Sequence, residues 1–240
     1  MTPMPNIRLV GAGFLALLAA APLEAQVGHD PARSPYRDLR YTQFVSATAG
    51  YLFGDGGQFG VGPHRGLVAT LRHEFLADRT LSVALLGGYS RLERNFADPF
   101  SPAEPRIRGP IEHRVLFGEG VLQLNATGGK TWHGLAPYFS AGIGLAFAET
   151  VVQDTSRYRF GTKFYLAPAL GLRAFLSRRL FLRLEARSVF WNLSYPDSFR
   201  QDPDGFGPLQ PLLAGRPRKE WVPSPMLHAG LGFALRRPFF

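Results

Sequence analysis

From about residue 40 onward, apolar and polar positions alternate with period two in eight stretches, each near ten residues or longer. Alternation of that period marks strands with one apolar face, and repeated at this length it is the pattern of a membrane-spanning barrel. The first stretch, 41–53, sets Tyr41, Val45, Ala47, Ala49, Tyr51 and Phe53 against Thr42, Ser46, Thr48 and Gly50. The second, 66–75, sets Leu67, Ala69, Leu71 and Phe75 against Thr70, Arg72 and Glu74. In the third, 80–91, Leu81, Val83, Leu85 and Tyr89 oppose Ser82, Ala84, Gly88 and Ser90. The fifth, 135–148, is the most regular, with Leu135, Phe139, Ala141, Ile143, Leu145 and Phe147 on one face and Ser140, Gly142, Gly144 and Ala146 on the other. The sixth (162–174), seventh (180–191) and eighth (226–236) repeat the pattern around Leu166, Leu184 and Leu231.

The fourth stretch, 113–126, is apolar on both faces. Its phase follows from charge: Glu119 and Gln123 are too costly to face lipid, so Leu116, Leu122 and Leu124 point outward. Val115, Phe117 and Val121 then point into a lumen narrow enough to be filled by side chains. The connections alternate short (76–79, 127–134, 175–179) and long (54–65, 92–112, 149–161, 192–225), which is the loop asymmetry of outer-membrane barrels. Most prolines fall in the long connections. Pro137 and Pro168 fall within strand patterns, where each removes a ladder donor.

The polar faces decide between a membrane barrel and a soluble lipocalin-like barrel or sandwich. They are rich in Ser, Gly, Ala and Thr, whereas a solvated surface carries more long charged side chains. The expected fold is therefore all-β, an eight-stranded antiparallel up-and-down transmembrane barrel. Three segments follow: a cleavable signal peptide at 1–25, a periplasmic segment at 26–39 and the barrel at 40–240. Arg8, the uncharged apolar run 9–21 and the small Ala25 occur in the order of a secretory signal, with cleavage after Ala25 and Ala21 as the alternative. The chain is basic, with 27 Lys+Arg against 18 Asp+Glu. It has no cysteine, which removes disulfides, thiolate metal sites, a cysteine nucleophile and a lipidated cysteine from consideration.

On the run 137–145 (Pro-Tyr-Phe-Ser-Ala-Gly-Ile-Gly-Leu), the inward Glu185 and Arg187, and the closing Gly230-Leu231-Gly232-Phe233, the sequence resembles the outer-membrane β-barrel superfamily that includes the OmpA transmembrane domain. The resemblance spans most of 40–240. It implies a bacterial outer-membrane location and a monomeric barrel. It also implies a C-terminal aromatic signal, carried here by Phe233, Phe239 and Phe240, read by the barrel-assembly machinery.

Inward charges and basic loops are the candidate chemistry. Arg183, Glu185 and Arg187 alternate along one strand, and Arg72, Glu74 and Glu119 share their inward phase. Buried charges need partners, so the expectation is an ion-pair plug, with a gated ion path or proton relay as the functional alternative. Arg94, Arg106, Arg108, Arg157, Arg159, Arg216, Arg218 and Lys219 flank or lie in long loops, where they would face lipopolysaccharide phosphates. No cofactor, metal or nucleic acid is expected. Gly142-Ile143-Gly144 has no helix after it to hold a pyrophosphate, His73-Glu74 lacks the second zinc-binding histidine, and Asp202-Pro203-Asp204-Gly205 lacks the closing glutamate of a calcium loop. The functional expectation is a non-enzymatic barrel with a structural, adhesive or narrow-pore role. The alternative is a lipid A-modifying barrel (deacylase or acyltransferase), which requires a serine–histidine pair and an orienting acid at the lipid boundary.

Overall fold

The computed structural model describes residues 34–101, 105–149, 158–202 and 210–235. The expected signal segment 1–25 and the closing Phe239 and Phe240 lie outside the described residues, as does Arg157. Ten strands form one antiparallel sheet within the unit that begins at Pro35: β1 (Tyr36–Asp38), β2 (Gln43–Phe53), β3 (Arg65–Leu76), β4 (Leu81–Ala97), β5 (Ile107–Asn125), β6 (Lys130–Trp132), β7 (Leu135–Ala148), β8 (Thr162–Phe175), β9 (Leu180–Ser194) and β10 (Lys219–Leu235). Eight of them close a barrel. β2, β3, β4, β5, β7, β8, β9 and β10 pair in chain order, and β10 returns to β2. These are the eight alternating stretches. Closure leaves the barrel without an edge strand, the one arrangement that satisfies a sheet's backbone groups inside lipid.

The barrel turns its apolar face outward. Leu67 and Leu85 are each 67% exposed and Ile143 60%, while Arg72, Arg173 and Arg183 are at most 1% exposed. A water-soluble barrel has the opposite polarity, and an apolar surface extending around the whole sheet would not stay dispersed in water. The molecule is a transmembrane β-barrel. Tyr51, Phe53, Phe147 and Phe164 stand exposed at the long-loop ends of β2, β7 and β8, and Phe75 and Phe233 near the short-turn ends of β3 and β10. Aromatic side chains in these positions suit the two interfaces of a bilayer. In β5 the phase inferred from Glu119 holds: Leu116, Leu122 and Leu124 are exposed, Val115 and Val121 buried.

Two parts of the chain differ from the periodicity reading. The first is strand length. β4 runs on to Ala97 and β5 starts at Ile107, so much of the expected loop 92–112 is a hairpin, interrupted by a register shift between Arg94 and Phe96. A membrane strand needs about ten residues, and β4 and β5 have 17 and 19. Where they project past the apolar band, Arg65, Glu93 and Glu112 stand side by side on three strands. Pairing continues there while the hydrophobic alternation that reveals it stops.

The second is an annex at the short-turn end. β1 pairs with β6, placing Tyr36 opposite Trp132 and Asp38 opposite Lys130, and Leu39 N–H donates to Gly129 O at 2.8 Å. Three-residue strands carry no readable period. His133, which follows β6, holds a φ of 50°, and Gly134 one of 82°, which turns the chain sharply into β7.

Candidate functional site

The lumen is filled at three heights. At the short-turn end, Phe44, Phe175 and Phe181 pack edge-on or tilted, with ring centroids 5.4 to 6.4 Å apart. The Arg173 guanidinium lies 4.8 Å above the Phe44 ring, a cation–π contact that joins this floor to the charged layer over it.

The middle layer is a continuous polar network. Glu74, fully buried on β3, accepts from Arg173 Nη1 at 2.8 Å, Arg183 Nη2 at 2.6 Å and Gln123 Nε2 at 2.9 Å. Arg72 donates to Glu185 Oε2 at 3.1 Å and to Gln123 Oε1 at 2.7 Å. Tyr138 OH donates to Glu185 Oε2 at 2.7 Å and accepts from Arg183 Nη1 at 3.1 Å. Asn125 Oδ1 takes one bond from Arg173 and one from Gln123, and its amide donates to Ser82 at 2.9 Å. Above these, Arg187 Nη2 reaches Glu119 Oε1 at 2.5 Å, and its Nε lies 3.6 Å from Glu185 Oε1. All six residues expected to plug the lumen stand in this layer. Four arginines face three glutamates, because Arg173 joins them.

The sequence does not mark Arg173, Gln123, Asn125 and Tyr138 as network members, although Arg173 has inward phase and Gln123 is too polar to face lipid. Phase tells which residues enter the lumen, and only barrel closure tells which meet there. The chain makes room for them with small inward residues. A β-carbon at Gly142 would overlap the Glu119 carboxylate, and one at Gly171 would overlap the Tyr138 ring.

The long-loop mouth carries an apolar plug. Phe59 and Val61 from the β2–β3 connection, Tyr158 and Phe160 before β8, and Tyr195, Phe199 and Leu213 from the β9–β10 connection pack over Leu52, Leu92, Trp191 and Leu193. Phe59 sits edge-on to Tyr195 and Phe199, with centroids at 5.1 and 5.6 Å, and Phe160 edge-on to Trp191 at 5.4 Å. A polar latch holds the loops. The Gln58 backbone N–H donates to Glu220 Oε1 at 2.8 Å, and Tyr195 OH donates to the same oxygen. Burial first, then that bond to a carboxylate, pushes the Tyr195 hydroxyl above its ordinary pKa. Between plug and network, a cavity of about 10 Å³ lined by Glu119, Arg187 and Trp191 has room for about one water.

The basic residues expected to face lipopolysaccharide divide into two groups. Arg94 and Arg106 are buried, at 1% and 6% exposure, which corrects that expectation for both. Arg94 lies inside the β4–β5 hairpin, where its Nε donates to His113 Nδ1 at 2.9 Å. Arg106 donates to Gln210 O and Pro99 O, both at 2.7 Å, and so ties two long connections together. Arg108, Arg159, Arg216, Arg218 and Lys219 are exposed at the long-loop end. Arg218 also pairs with Asp197 at 2.8 Å. Among the histidines, His228 Nδ1 lies 3.3 Å from Thr48 Oγ1 in the lumen, and the ring of His73, outward-facing on β3, lies tilted against Phe75 with centroids 4.3 Å apart.

No protein-family model and no curated protein matches the sequence. Its fold is shared with solved small outer-membrane barrels. The outer membrane protein OprG from Pseudomonas aeruginosa superposes with a TM-score of 0.50 at 13% identity, covering 83% of this chain and 99% of that one. Neisserial surface protein A (NspA) superposes with a TM-score of 0.51 at 13% identity, covering 80% and 97%. The class is thus the small eight-stranded outer-membrane barrel fold, and at this identity the likeness is one of fold.

Proposed function

We propose that this protein is a non-enzymatic barrel of the bacterial outer membrane, closed to ions, with a structural or adhesive role exercised from its long-loop end. The observation that carries this reading is the filled lumen: an aromatic floor, a charged middle and an apolar roof. Ions conduct through rings of charge or carbonyl groups lining open space. Here the charges are spent on one another. In planar bilayers the purified protein is expected to give no discrete conductance steps, and reproducible single-channel steps would overturn the closed-barrel reading.

The exposed Arg108, Arg159, Arg216, Arg218 and Lys219 support contact with lipopolysaccharide phosphates, for which the forked guanidinium is well shaped. On this reading the protein inserts as a monomer through the barrel-assembly machinery after export. Reversing charge at Arg108, Arg216 and Arg218 together is expected to lower the lipopolysaccharide that co-purifies with the barrel; unchanged co-purification would remove that partner.

A further inference from the structure

The β8–β9 ladder is interrupted partway along the barrel wall. Between β8 and β9 the ladder pairs Leu166 with Phe190 and resumes at Ala169 with Arg187, in unbroken register, but Ala167 and Pro168 have no ladder partner on β9. Pro168 has no N–H to give. By register its position faces Ser188, and Ser188 pairs on its other side with Pro225 of β10. Two prolines thus flank one serine on the lipid-facing side of the sheet. In the next row toward the turns, Leu170, Ala186 and Leu227 stand abreast, so the two small β9 side chains form a floor between larger neighbours. Phe139 and Phe53 close the ends. The result is a groove of about 660 Å³ on the outer face, within the size range of pockets that hold small ligands.

The groove reaches into the wall. Arg187 and Met226, which point into the lumen, line both this groove and the small cavity beneath the mouth plug. Every outward side chain around the groove is uncharged, and the phase against which it opens is bilayer hydrocarbon. On the transmembrane reading, that phase identifies the occupant. We infer that the groove is a seat for one acyl chain of a surrounding phospholipid, held longer than the lipids that merely bathe the barrel, with the chain end against the seam at Pro168. Met226 is the yielding residue behind it, since an unbranched thioether side chain repacks easily.

The test is photo-crosslinking in phosphatidylcholine vesicles doped with a phosphatidylcholine that carries a diazirine at the end of one acyl chain, with adducts mapped by peptide mass spectrometry. Expected are adducts on the 166–170, 186–190 and 223–227 segments at about fivefold the density on the equally lipid-facing Leu67, Leu71 and Leu85, the ratio of a modest binding preference. Filling the floor with Ser188→Leu should bring that excess down to the control level while heat-modifiable gel mobility is kept. An even spread of adducts overturns the proposal, as does an excess that survives Ser188→Leu. So does a groove that labels only with a free diazirine fatty acid, or one that crosslinks two copies of the barrel. Loss of heat-modifiable mobility in the unaltered protein would instead count against the transmembrane barrel itself.

Discussion

Glu74 is the fully buried carboxylate of the lumen network, at 0% exposure. It accepts from two arginines, Arg173 on Oε1 and Arg183 on Oε2, and Arg72 Nε lies 3.9 Å from Oε2 as well. Removing it strands cations that water cannot reach, a loss worth about 3–5 kcal/mol for a buried pair broken from one side. Glu74→Ala is therefore expected to lower folding stability by that order, measured by urea titration of refolded barrel. Arg218→Ala makes the contrast. Its pair with Asp197 lies at the surface, with 43% and 70% of the side chains exposed, and its loss should cost under about 1 kcal/mol. Gly142 is the third residue whose role is local. Its missing β-carbon is the space that the Glu119 carboxylate occupies, so Gly142→Val should destabilise by about 1–3 kcal/mol through overpacking. The same titration checks it, and an unchanged midpoint would show that Glu119 can move aside.

Among the elements, the barrel strands and the annex are held in different ways. Each barrel strand is paired on both sides over about ten residues, and alternation gives its phase in every case but β5, where Glu119 and Gln123 decide it. β1 has three residues, all exposed, and one partner. A strand so short contributes little independent stability. Deleting residues 26–38 should thus leave heat-modifiable mobility intact and shift the unfolding free energy by no more than about 0.5 kcal/mol. A collapse of the barrel would mean that the annex holds the β5–β7 connection in place during folding. The prolines mark the same contrast. Pro137 lies near the start of β7, where an absent donor costs little. Pro168 lies mid-strand, and the structure accepts it by giving up part of one ladder.

For the molecule as a whole, side chains packed into the lumen at three heights are expected to make the proposed closure insensitive to single changes. Glu185→Ala removes a member of the charged layer but leaves the floor around Phe44 and the roof around Phe59 and Tyr195 in place. The variant is expected to stay non-conducting in planar bilayers, and steps appearing in it alone would show that the charged layer is the only seal.

Period two, the refusal of Glu119 and Gln123 to face lipid, and the short-long spacing of connections were enough to set the eight strands, their phases and the inward charges. These are one-dimensional properties, because the bilayer imposes one rule on every outward position. Tertiary structure alone decided which inward residues meet, that Arg173 completes the network, that Arg94 and Arg106 serve as internal ties, and that loop aromatics roof the mouth. Each of these depends on closure bringing together positions far apart in the chain, 99 residues for Glu74 and Arg173 and 113 for Arg72 and Glu185. Pro168 belongs to both accounts: the sequence shows a missing donor, and only the closed sheet shows that the gap falls beside Ser188 and Pro225, on the face turned to lipid.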